Sequence, residues 1–191
     1  MTAIDEKSRP GAGRAHVESR VGETTASIGI RLATEQDAGR IHALIVELAK
    51  ATGLREKVTS KPEHFLRHGF GEPPAFQALI AERADTPLGL CLFFYSFSSW
   101  RGEVGVYVQD LYVAAETRGS GLGRRLIAET ARLARQRGAT YLRLSVATKN
   151  SSAQDFYRAI GLTKSDDECI FQAVGAAFDG LAAGRTGELP R

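Results

Sequence analysis

Leu111-Tyr112-Val113-Ala114-Ala115-Glu116-Thr117-Arg118-Gly119-Ser120-Gly121-Leu122-Gly123 is the stretch of this chain on which the fold turns. An apolar strand runs into a turn with three alternating glycines, and an amphipathic helix starts at once. Glycine takes positive φ freely and lets a ligand come close to the main chain. The first N–H groups of the following helix lack internal partners and carry the positive end of its dipole. Together these features make a site for a phosphate or diphosphate. The plainer alternative is an ordinary glycine-rich turn from strand to helix.

Glycine-rich loops of different chemistry can be told apart by their neighbouring residues. A nucleoside-triphosphate loop ends in Gly-Lys-Ser/Thr, so that lysine reaches the phosphates and the hydroxyl holds magnesium. Here Gly123 is followed by Arg124 and Arg125. A dinucleotide fingerprint, G-x-G-x-x-G, needs its third glycine where Arg124 stands, and an acid about 20 positions on. The next strand ends in Val146-Ala147-Thr148, with no acid. What remains is Arg118-Gly119-Ser120-Gly121-Leu122-Gly123. It resembles the acyl-coenzyme A signature R/Q-x-x-G-x-G/A of the GNAT acetyltransferase superfamily. The resemblance implies acetyl-CoA as co-substrate. Its phosphates would lie on Arg118, Gly119, Ser120, Gly121, Leu122, Gly123 and Arg124, and its pantetheine arm along the backbone of Leu111, Tyr112 and Val113.

A second segment extends the likeness: Asn150-Ser151-Ser152-Ala153-Gln154-Asp155-Phe156-Tyr157. The superfamily pattern implies cofactor contacts at Asn150 and Ser152, and a general acid for the leaving thiolate at Tyr157. A tyrosine pKa of ~10 lies close to that of a thiol at about 8.5, so the transfer costs little. Plain core packing is the competing reading for both aromatics, and the one expected for Phe156.

Arg31-Leu32-Ala33-Thr34, Glu47-Leu48-Ala49-Lys50, Gly69-Phe70-Gly71-Glu72 and Gln109-Asp110-Leu111-Tyr112-Val113 resemble the diamine (spermidine/spermine) acetyltransferase branch in order and spacing. That branch forms dimers, so a homodimer is implied. Its substrate carboxylates are thinned here. The glutamate beside the aspartate of the central strand is Gln109, and an aromatic-acid pair is replaced by Ala51 and Thr52. Polycations need carboxylates, so a small amine with fewer charges, such as an amino acid, is expected over polyamines. Substrate contacts are expected at Gln109, Asp110 and Thr52, although strict alternation would send Asp110 to the face opposite Gln109. Acylation of a protein or peptide amine, or cofactor sensing without catalysis, are the alternative activities.

The 191 residues fit one domain, and 43% hydrophobic with 25% charged residues is ordinary for a soluble globular chain. No apolar run reaches the roughly 20 residues of a membrane span. The net charge of +3 is modest, and no basic stripe with interleaved aromatics suggests nucleic acid. Cys91 and Cys169 lack metal-ligand spacing and read as reduced core thiols of a cytoplasmic protein. No metal is expected.

Residues 1–27 read as a disordered extension, 28–175 as the acetyltransferase domain and 176–191 as a tail. Strands are predicted at Ile28–Leu32, Phe76–Glu82, Leu88–Phe97, Glu103–Val113, Tyr141–Val146 and Cys169–Val174. Helices are predicted after Thr34 to near Gly53, over Pro62–His68, from Leu122 to Gly138 and over Ser151–Ile160. This order implies an α/β fold, a mixed and mostly antiparallel sheet flanked by helices.

Overall fold

A computed structural model describes residues 27–184. The expected extension lies outside the described residues except for Ser27, as does the tail beyond 184. Five strands form one sheet in the order β1-β2-β3-β4-β5: β1 (Gly29–Leu32), β2 (Gln77–Arg83), β3 (Thr86–Ser98), β4 (Glu103–Val113) and β5 (Tyr141–Leu144). All neighbours are antiparallel except β4 and β5, which the crossover helix between them makes parallel. The helices are α1 (Ala38–Ala51), α2 (Pro62–Phe70), α3 (Leu122–Gln136), α4 (Ser151–Ala159) and α5 (Ala176–Ala182).

Each face of the sheet has its own core. Ile41 and Leu44 of α1 pack on Ala78, Ile80, Leu90 and Leu92. On the other face Leu122, Leu126, Ile127 and Ala134 of α3 meet Leu79, Cys91, Phe93, Val106 and Val108. The helical period that brings those α3 residues to one stripe is the one visible in the sequence. At Gly89 the helix comes so near that a Cβ would stand 3.0 Å from Leu126 Cδ1 and 3.1 Å from the Tyr112 carbonyl.

Thr34 caps the turn that leads into α1, and it donates its N–H and its hydroxyl to Asp37 Oδ2. Arg31 bridges Asp37 and Glu82, each at 2.7 Å, and thereby ties β1, the entry to α1 and β2 together. Hydrogen bonding from Arg31 outweighs burial and holds the Asp37 carboxyl at about 2.

Three sequence expectations need correction. The strand Tyr141–Val146 stops at Leu144, because β5 parts from β4 there. Cys169–Val174 pairs with no strand among the described residues and is not itself a strand, so Cys169 is an exposed thiol rather than a core one. The stretch expected as a tail begins with α5, which buries Gly180 and leaves Phe178 and Leu181 more than half exposed. A strand needs a partner for its polar backbone groups, and alternating apolar residues alone do not supply one.

Candidate active site

The site is built where β4 and β5 separate. Parallel pairing runs only from Gly105–Tyr141 to Val108–Leu144, so Gln109 to Val113 have no β5 partner. The Ala114 N–H bonds Leu88 of β3 at 2.8 Å. In an antiparallel ladder the neighbouring residue then turns its polar groups to the opposite edge. Val113, and Leu111 two residues before it, thus aim N–H and C=O into the notch that β5 has left. Tyr112 instead faces β3 with its backbone and sends its ring to the boundary of both cores.

The loop above the notch is folded tightly. Ser120 donates its hydroxyl to the Thr117 carbonyl at 2.6 Å, and Gly119 and Gly121 adopt φ of +79° and +83°. Gly121 precedes α3 in the left-handed region, and no side chain caps the helix start. Arg125 N–H makes the first helical bond, to Gly121, leaving the amides of Leu122, Gly123 and Arg124 without an intrahelical acceptor. A Cβ on Gly119 or Gly121 would meet nothing within 4 Å, so the space before these amides is open. Gly123 serves packing instead. A Cβ there would stand 3.1 Å from the Phe156 ring and 3.6 Å from Val113 Cγ2.

That contact seats α4 beside the loop. Asn150 caps α4 with its side-chain oxygen, which accepts from the Ala153 N–H at 3.1 Å. Its amide nitrogen remains for another partner. Ser152 is exposed one step into the helix. Phe156 packs at 5.2 Å, ring to ring, on Tyr157. Burial, with lesser effects from Cys91 and Asp110, pushes the Tyr157 hydroxyl up to about 12. The phenol is therefore a proton donor throughout the neutral range.

The acceptor side departs from simple alternation. A β-bulge lies opposite Leu92, which pairs with Asp110 while Phe93 pairs with Val108. Gln109 is the extra residue. A bulge sets two residues against one, so the rule that would send Asp110 to the opposite face from Gln109 does not hold here. Gln109 is exposed, and burial raises the Asp110 carboxyl above the ordinary carboxylate range. The signal was present: apolar residues fall at Val106 and Val108, then at Leu111, out of phase by one. Thr52 gives its hydroxyl to the Leu48 and Ala49 carbonyls and so finishes α1. Among the described residues no three His, Cys, Asp or Glu side chains stand together as a metal site.

The profile of the acetyltransferase (GNAT) family matches residues 41–162. The chain belongs to that family. It is similar to thialysine N-epsilon-acetyltransferase of Bos taurus, 36% identical over 168 residues, which cover 82% of this chain and 98% of the relative. It is similar too to a spermidine/spermine N(1)-acetyltransferase-like protein of Homo sapiens, 28% identical over 139 residues, 69% of this chain and 20% of that one. Among solved structures, an integron cassette protein from the mobile metagenome of V. cholerae superposes with a TM-score of 0.70 at 21% identity. It covers 82% of this chain and 98% of that one, a likeness of fold. This GNAT protein is an N-acetyltransferase of the diamine acetyltransferase branch, as the motifs in its sequence implied. No helix among the described residues is long and apolar enough to cross a membrane.

Proposed function

We propose that the enzyme transfers the acetyl group of acetyl-CoA to the side-chain amine of a small amino acid-like acceptor, in the cytoplasm and as a homodimer. The observation that carries this reading is the meeting, at one notch, of unpaired β4 backbone, uncapped α3 amides and the half-buried Tyr157 phenol. Arg118, Gly119, Ser120, Gly121, Leu122, Gly123 and Arg124 hold the cofactor's diphosphate through their backbone and the two arginine side chains. Leu111 and Val113 pair with the pantetheine amides as a further strand would, with Tyr112 between them. Asn150 and Ser152 border the arm.

The acceptor amine attacks the thioester directly, with both substrates held together. Backbone N–H near Val113 polarises the acetyl carbonyl. Tyr157 gives its proton to the departing sulfur and regains one from solvent. Gln109 and Asp110, side by side at the bulge, with Thr52 at the end of α1, border the acceptor. Gln109 orients the amine or a water by hydrogen bonding and cannot act as base. The neutral residues at 51, 52 and 109 weaken the attraction for a polycation, and thialysine, the acceptor in the name of the Bos taurus relative, is an amino acid. The free thiols of Cys91 and Cys169 suit a reducing compartment.

An acceptor panel with acetyl-CoA, followed by thiol release, tests the proposal. Thialysine and lysine should exceed spermidine and spermine in kcat/KM by about tenfold or more, the worth of one lost charge contact. A preference for spermine over both thialysine and lysine would reverse the acceptor assignment. Binding of acetyl-CoA without thiol release to any amine would favour a sensor.

A further inference from the structure

Arg118 makes a contact that a phosphate ligand need not make. Its Nε donates to the Val113 carbonyl at 3.2 Å. That carbonyl is turned to the open edge of β4, because the next residue, Ala114, spends its N–H on β3. The guanidinium thus covers one of the few acceptors available to the amide arm of the cofactor. Among the described residues Arg118 has no carboxylate within ion-pair distance, so a neutral carbonyl is its partner.

We propose that Arg118 is a latch that makes the notch respond to phosphate. With the diphosphate absent, Arg118 stays on Val113 and the arm is kept out. A diphosphate at the start of α3 offers the guanidinium an anionic partner that can take two of its N–H groups at once, in place of a single bond to an uncharged carbonyl. The side chain then leaves Val113, and the strand edge opens to the pantetheine amides. The enzyme therefore discriminates against acyl thioesters that lack phosphates by more than the lost phosphate contacts alone. This rests on the acetyl-CoA reading above.

The test compares acetyl-CoA with S-acetylpantetheine, which has the same arm and no phosphate. Arg118→Met removes latch and phosphate partner together. Arg118→Lys keeps the charge but loses the Nε geometry. For a latch worth one ordinary hydrogen bond, kcat/KM for S-acetylpantetheine should rise about three- to tenfold in both variants. For acetyl-CoA it should fall in Arg118→Met and hold nearer the native value in Arg118→Lys. Added inorganic diphosphate should stimulate native turnover of S-acetylpantetheine and leave Arg118→Met unaffected. No gain with S-acetylpantetheine in either folded variant, undetectable use included, overturns the latch and leaves Arg118 a phosphate ligand only. Failure of the native protein to bind acetyl-CoA by calorimetry would instead overturn the cofactor reading itself.

Discussion

Tyr157 shows how much environment adds to residue type. A phenol in water titrates at ~10, already high enough to remain protonated at neutral pH. Burial in α4 beside Asp110 and Cys91 pushes it to about 12. A raised pKa keeps the proton on as pH rises, and the donor is lost only as pH passes through that value. The rate should therefore show no alkaline fall from this group below about pH 11 while the protein remains folded. Tyr157→Phe should lower kcat by roughly 10²–10⁴ with little change in cofactor affinity. A native turnover number in that variant, with chemistry rate-limiting, would make the ring a packing element only. Gln109 and Asp110 teach the complementary lesson. Their types were plain in the sequence, but their relation depended on one unpaired residue in β4.

At the scale of elements, α3 and α4 are joined through a contact of one atom's width. Gly123 lets the Phe156 ring come down onto the helix start, and Phe156 in turn packs against Tyr157. Gly123→Val should push α4 outward and move Tyr157 away from the notch. The expected result is a kcat loss of about tenfold or more, from misplacement of the acid, with overpacking costing ~1–3 kcal/mol of stability. Turnover assays beside thermal denaturation check both parts. Native turnover in this variant would show that the third glycine serves the loop and not the packing. The motif alone could not assign these separate duties: Gly119 and Gly121 are needed for positive φ, and Gly123 for closeness.

Across the whole molecule, exposed apolar side chains lie at the β3–β4 turn, where Trp100 is 99% exposed, and near the C-terminal end of the described residues. Ile170, Phe171 and Val174 are 77%, 93% and 71% exposed, and Phe178 of α5 is 61% exposed. The sheet itself ends in β5, whose outer edge pairs with no strand among the described residues. Large exposed apolar side chains are common at association surfaces, and they support the proposed homodimer. Sedimentation at micromolar protein should give twice the chain mass, and Phe171→Glu should shift the population toward monomer. A native monomer at those concentrations would refute the dimer.

The sequence by itself determined the acetyltransferase family, the glycine loop, the helix faces of α1 and α3 and the four antiparallel strands that precede the loop. Those features are local: they come from a period, a turn residue or a motif read within about a dozen positions. Only the tertiary structure decided where β5 leaves β4, that Gln109 is the bulged residue, that Arg118 rests on Val113 and that Cys169–Val174 pairs with no strand among the described residues. Each of these depends on a partner distant in sequence or on an edge with no partner. Apart from the phase shift at Leu111, the pairing of backbone groups across such distances leaves no mark on the local pattern of residues.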